Sequence, residues 1–129
     1  MKQLIIYVGF LIIVVTGLTG CYRDVILPDA AVDPDGPPQA VSFKNDIAPM
    51  LNTKCALAGC HASGVRKPSL NLGASYQELV NGGFVNTIVP KQSIIYQEIN
   101  GNGNMKEYIP SAADRQKIYD WIRNGALNN

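Results

Sequence analysis

Histidine, cysteine and methionine are scarce in this chain, and its basic residues never cluster. The 129 residues include one histidine, three cysteines and three methionines, with a formal net charge of +1. Without a run of lysine and arginine, the chain lacks the basic stripe typical of proteins that bind nucleic acids. It also lacks internal repeats and a glycine-rich phosphate-binding loop. The only histidine, His61, directly follows a cysteine, which leaves none for a catalytic set with serine and aspartate.

The N-terminus has the pattern of an export signal. Lys2 supplies a short positive region, and an unbroken apolar stretch covers residues 4–15. A helix of twelve residues rises about 18 Å, too little to cross the ~30 Å hydrocarbon core of a bilayer. The signal ends in Leu18-Thr19-Gly20-Cys21, which resembles a bacterial lipobox. We therefore predict that residues 1–20 are a lipoprotein signal peptide and that Cys21 carries the lipid, although an ordinary signal peptide or an uncleaved anchor is the alternative.

Residues 21–40 differ in composition from the rest of the chain. Prolines and aspartates dominate there against a single basic residue, Arg23: Pro28, Pro34, Pro37, Pro38, Asp24, Asp29, Asp33 and Asp35. Such a segment predicts an extended acidic tether without a core of its own. We assign residues 41–129 to one folded domain.

The domain shows apolar residues at helical spacing in short segments, which turn-rich loops separate. We predict a first helix that starts near Asp46 and leads into Cys55. A second helix is predicted over residues 75–80, with Ser75 as its N-cap. The isoleucines within residues 93–99 would also suit a strand, but we predict a helix with Ser93 as its N-cap.

The last helix is the clearest. Ser111 and Asp114 have the spacing of a capping box, and one apolar face follows, with Trp121 at its edge: Ile118, Tyr119, Ile122 and Ala126. The predicted fold class is therefore all-α, with short helices and long loops. A domain of this kind is a weak basis for a core, and a disulfide, a metal or a large apolar cofactor usually completes it.

The stretch Cys55-Ala56-Leu57-Ala58-Gly59-Cys60-His61 holds both cysteines of the predicted domain. A Cys-x-x-Cys-His run is typical of c-type haem attachment, and here four residues separate the cysteines instead of two. If Cys21 carries lipid, Cys55 and Cys60 remain as a pair with one role. Export would place this pair in an oxidising compartment, where the two thiols form a disulfide unless another partner takes them.

Residues spread over the whole domain resemble bacterial class I-type cytochrome c domains, and most closely the small lipoprotein cytochromes of that kind. The resemblance rests on the opening, the cysteine stretch, the following loop and the ending: Phe43, Asp46, Ile47, Pro49, Cys55, Cys60, His61, Pro68, Ser69, Leu70, Met105 and Trp121-Ile122-Arg123-Asn124-Gly125-Ala126.

This resemblance implies one covalently bound haem c and a role for five residues. Cys55 and Cys60 would form the thioether bonds, and His61 would be the proximal iron ligand. The carbonyl of Pro68 would accept the other ring N–H of that histidine, which orients the ring. Met105 would be the distal ligand through its sulfur.

The resemblance also implies a cytochrome c-like fold in which helices and loops wrap around the haem, with Phe43 and Trp121 near the contact of the first and last helices. Its implied function is that of a membrane-tethered monohaem cytochrome, which carries single electrons in the bacterial cell envelope. Such a protein is a carrier and not an enzyme. Its partners would be redox proteins of the envelope and, through the lipid anchor, the membrane.

The chain departs from the family pattern after Met105, where residues 106–109 precede Pro110. Met50 is the other methionine of the domain, but its spacing with Phe43 and Ile47 predicts a core position. If Met105 does not bind, the site is open, which would suit a haem sensor or a small peroxidase. The further alternatives are a haem-free module with a Cys55–Cys60 disulfide and a Cu(I) site.

Overall fold

The computed structural model describes residues 33–129 of the protein, and this part contains helices and loops but no strand. The four α-helices are α1, Ala48–Lys54; α2, Ser75–Asn81; α3, Ile94–Ile99; and α4, Ala112–Arg123. A π-helical turn, Phe43–Ile47, precedes α1, and 3₁₀ turns cover Pro90–Gln92 and Lys106–Tyr108. The predicted all-α class is therefore confirmed for these residues.

The predicted signal peptide, residues 1–20, and the lipidation site, Cys21, lie outside the described residues. Among residues 33–129, none of the helices has the length and the apolar character needed to cross a membrane.

The first helical segment begins earlier than the sequence pattern predicts. Ser42 is the N-cap: its side chain accepts a hydrogen bond from the N–H of Asn45, and its own N–H donates to Asp46. These reciprocal bonds satisfy backbone donors that a helix start leaves free. The wide π turn then leads into α1, where Pro49 lies in the first turn and needs no N–H of its own.

The other predicted helices are present, with one correction to their caps. Ser111 caps α4 and accepts from the N–H of Asp114, as the capping-box pattern predicts. The prediction that Ser75 caps α2 is wrong, because Ala74 is the N-cap and Ser75 is the first helical residue, buried inside the domain. Ser93 precedes α3 as predicted, but its hydroxyl bonds to the backbone of Asn86 instead of the helix.

The core lies where the first helical segment meets α4. The ring centroids of Phe43 and Trp121 are 5.0 Å apart, and Tyr76 of α2 packs edge-on against Phe43. Trp121, which the sequence places at the edge of the apolar face, is only 1% exposed because the first helical segment covers it. Its indole N–H donates to the carbonyl of Leu127, which gives the buried ring nitrogen a partner.

Hydrogen bonds join the two ends of the described chain to the first helical segment and to α4. The side chain of Asn129 accepts from the N–H of Phe43 and donates to the carbonyl of Val41. At the opposite face of α4, Arg123 donates to the carbonyls of Pro34 and Gly36. The last residues of the predicted tether thus contact the folded domain.

Asp120 is the centre of this second contact. Its carboxylate is 2% exposed and accepts hydrogen bonds from the N–H of Gln39, the side-chain amide of Gln116 and the guanidinium of Arg123. A buried carboxylate with three donors leaves those donors unsatisfied when it is removed.

We therefore predict that Asp120→Ala lowers the free energy of unfolding by about 2–4 kcal/mol, because it breaks a buried network. Urea denaturation followed by circular dichroism measures this change. Lys91→Ala is the matched control, since it removes only an exposed ion pair with Asp35 and should change the unfolding midpoint little. Equal midpoints for the two variants would contradict the role given to Asp120.

Candidate functional site

One cavity of about 460 Å³ brings together all five residues that the family resemblance singles out in this domain: Cys55, Cys60, His61, Pro68 and Met105. The cysteine stretch after α1 and the loop before α2 contribute one part of its lining. Helix α3 and the loop that carries Met105 contribute another. Ligand pockets in proteins commonly measure about 300–1,000 Å³, so the cavity is large enough for a cofactor.

The cysteine stretch folds into a closed loop at the end of α1. Cys55 caps that helix, and the N–H of Cys60 donates to the carbonyl of Leu57 at 2.9 Å. The N–H of His61 then returns to the carbonyl of Cys55, so the loop ends beside its beginning. Gly59 adopts a φ of +82°, a conformation that favours glycine.

Both thiols of this loop are free, since no disulfide joins Cys55 and Cys60 in the structure. Burial raises the pKa of the Cys55 thiol to about 11; the nearby Lys54 ammonium acts in the opposite direction, and Cys60 adds a smaller increase. Because the thiolate is the disfavoured form in a desolvated site, Cys55 is protonated at neutral pH.

The single histidine is held by one hydrogen bond. Nδ1 of His61 lies 2.9 Å from the carbonyl oxygen of Pro68, the partner that the resemblance implies. A carbonyl oxygen can only accept, so Nδ1 carries the proton of the neutral ring. Nε2 then keeps its lone pair and is free to bind a metal ion.

The loop that joins His61 to Pro68 is held in place by the core. Pro68 is buried, and the N–H of Leu70 donates to the carbonyl of His61 at 2.9 Å. Leu70 belongs to the core and is 5% exposed. The orientation of the imidazole therefore depends on a loop that the core anchors.

The methionine predicted as distal ligand lies on the same cavity. Met105 is half-buried, and its N–H donates to the carbonyl of Glu98 in α3 at 2.9 Å. Met50 packs against the core and does not line the cavity, in agreement with its predicted position.

Seven apolar side chains also line the cavity, and the sequence analysis gave none of them a role there: Leu51, Leu70, Leu79, Phe84, Ile94, Ile95 and Ile99. Ile94 is 47% exposed although it belongs to a helix with two buried isoleucines.

Polar residues also line the cavity: Lys54, Arg66, Lys67, Glu98, Asn104 and Tyr108. Lys54 is tied to Asp114 at the start of α4 by a 2.7 Å ion pair. Tyr108 is 41% exposed, and the pKa of its phenol is raised by the negative charge of Glu107 and, to a smaller extent, by Cys60. Tyr108 and Cys60 line the same cavity.

The donor set fits a covalently attached haem. The cavity is lined by two free thiols, a thioether and an imidazole whose Nδ1 proton is bonded to Pro68. Its walls are largely apolar, and an apolar cavity suits a flat apolar group such as haem. Within residues 33–129, no three histidine, cysteine or acidic side chains come together as a metal-binding cluster.

Comparisons with protein-family models, with curated proteins and with solved structures found no match for this chain.

The raised pKa predicts how Cys55 reacts in the haem-free protein. Its alkylation rate should keep rising with pH up to about 11, because the thiolate fraction grows until the pH exceeds the thiol pKa. Iodoacetamide labelling followed by peptide mass spectrometry measures the rate for this cysteine alone. A rate that levels off near pH 8.5 would contradict the effect of burial. Labelling after unfolding in urea is the control and should level off near the ordinary thiol value.

Proposed function

We propose that this protein is a membrane-tethered monohaem c-type cytochrome that carries single electrons in a bacterial cell envelope. The observation that carries the proposal is the shared cavity of Cys55, Cys60, His61 and Met105. These residues are separated by up to fifty positions in the sequence, and no simple packing requirement calls for two thiols, an imidazole and a thioether around one apolar space.

In this proposal each residue has a distinct task. Cys55 and Cys60 would hold the haem by thioether bonds, and His61 would bind the iron through Nε2 while Pro68 keeps its ring in place. Met105 would supply its thioether sulfur as the second iron ligand. When bound, the haem supplies a one-electron Fe(III)/Fe(II) couple, whose potential a histidine–methionine pair raises.

The surroundings of these residues favour electron transfer over substrate chemistry. The apolar walls would keep water from most of the haem, which stabilises a fixed ligand set. At the cavity, Ile94 and Tyr108 are about half exposed, so an edge of the haem would be accessible to a redox partner. In this proposal the protein is an electron carrier and not an enzyme.

The N-terminal pattern supplies the location in this proposal. Lipid on Cys21 would hold the protein on the membrane, and residues 22–32 would separate the lipid from the contacts that Pro34 and Gly36 make with Arg123. Eleven extended residues span at most about 40 Å, so the domain would stay close to the membrane surface and its redox partners.

The first test is the absorption spectrum of the full-length protein, made in an exporting host that can attach haem across a four-residue cysteine gap. We expect sharp bands on reduction and an intact mass increased by one covalent haem. His61→Ala should lose the reduced spectrum of a six-coordinate haem, because it removes the proximal ligand.

Cys21→Ala is the matched control for His61→Ala and should keep the haem, since Cys21 is not part of the domain. A colourless wild-type protein that is lighter by two hydrogens would contradict the proposal and indicate the Cys55–Cys60 disulfide.

The lipid anchor has its own test. Cys21→Ala should abolish labelling with a radioactive fatty acid and move the protein from the membrane fraction to the soluble fraction, because the acyl chains supply the membrane affinity. Cys60→Ala should retain both labelling and membrane association. Lipid labelling that survives in the Cys21 variant would show that the anchor lies elsewhere.

A further inference from the structure

The loop that carries Met105 is docked on the end of α3. The N–H of Gly103 donates to the carbonyl of Asn100, which closes a tight turn directly after the helix. The next residues then bond back to Glu98: Met105 through its N–H to the carbonyl, and Asn104 through its N–H to the side-chain carboxylate. Two consecutive backbone N–H groups of the loop are therefore held by one residue of α3.

Gly103 permits this docking because its backbone lies directly against the helix end. A Cβ atom at this position would overlap the carbonyl oxygens of both Gln97 and Glu98. These are backbone atoms of a helix and cannot move aside as the tip of a flexible side chain can. Any other residue at position 103 would push the loop away from α3, and Met105 follows two residues later.

Glu98 connects the loop to the cavity. It lines the cavity together with Ile94, Ile95 and Ile99 of the same helix, and Met105 lines it from the docked loop. The position of the Met105 sulfur is therefore coupled to α3 through the loop and is not set by the methionine alone.

We infer that Gly103 and Glu98 are positioning residues for the distal ligand, and that the seating of this loop on α3 determines how firmly Met105 binds iron. The inference rests on the proposed function. It assigns to these two residues control over the distal coordination site: a seated loop keeps the site closed, and a displaced loop opens it to small ligands such as carbon monoxide.

The test uses the full-length haem-loaded protein and the variant Gly103→Ala. We expect the reduced variant to bind carbon monoxide with an affinity at least about tenfold higher than the wild type, because overpacking against backbone weakens the competing Met105 bond. Its reduction potential should fall toward that of a haem without a thioether ligand. The amide of Met105 should also exchange with solvent faster, since its bond to Glu98 is disrupted.

Gly73→Ala is the matched control for this substitution. A Cβ at Gly73 would meet no atom within 4 Å, and its backbone does not need the left-handed conformation. This variant should keep the carbon monoxide affinity, the potential and the amide exchange of the wild type.

Glu98 provides a second pair of variants, which keeps the inference testable if Gly103→Ala does not fold. Glu98→Ala removes the acceptor for the N–H of Asn104 and should raise the carbon monoxide affinity, by less than Gly103→Ala does. Glu98→Gln retains a side-chain acceptor and should restore the wild-type affinity. If Glu98→Gln raises the carbon monoxide affinity as much as Glu98→Ala does, the effect is due to the charge of Glu98, and the positioning role is overturned.

The outcomes separate this inference from the proposed function. If the wild type carries one covalent haem and Gly103→Ala and Glu98→Ala keep its carbon monoxide affinity and potential, the inference is wrong and the cytochrome assignment stands. If the reduced wild type itself binds carbon monoxide as readily as a Met105→Ala variant, Met105 is not the ligand and the inference is also wrong. A wild type without haem overturns both.

Discussion

The hydrogen bond from Nδ1 of His61 to the carbonyl of Pro68 is the contact on which the site depends. The chain has no second histidine, so an imidazole ligand must come from this ring. The bond assigns the proton to Nδ1 and leaves Nε2 as the free base that a metal requires. Because Pro68 is buried and Leu70 anchors the end of the loop in the core, the carbonyl that holds the ring is itself fixed by the packed interior.

Helix α4 stabilises the elements that build the cavity, although it does not line the cavity itself. No residue of α4 lies on the cavity, yet Trp121 packs on Phe43 and keeps the first helical segment against the rest of the domain. The ion pair of Lys54 with Asp114 joins the end of α1 to the start of α4, next to Cys55. Both ends of the segment that leads into the cysteine loop are therefore joined to α4: Phe43 packs on Trp121, and Lys54 pairs with Asp114. A rigid support of this kind favours a constant geometry around a cofactor.

Local signals in the sequence predicted the helices and pointed to Cys55, Cys60 and His61 as candidate site residues, whereas contacts between distant residues were not visible in it. The capping box of Ser111 and the spacing of the cysteines with His61 are patterns within a few residues, which a linear reading can detect. The composition of residues 21–40 predicted an extended tether without a core of its own, but Arg123 binds the backbone carbonyls of Pro34 and Gly36 from almost ninety positions away. Backbone carbonyls carry no sequence signature, so such a contact requires the fold.

Both departures from the cytochrome c pattern that the sequence resembles lie in loops. Of the four residues between the cysteines, Leu57, Ala58 and Gly59 are exposed, and the hydrogen bond from His61 to Cys55 closes the loop behind them. The extra length therefore extends toward solvent and leaves the two thiols and the imidazole on one cavity. After Met105, the additional residues form a 3₁₀ turn that returns Tyr108 to the same cavity. Spacing along the chain is therefore a weaker criterion for this kind of site than the closure of its loops, because a closed loop can change length without moving its ends.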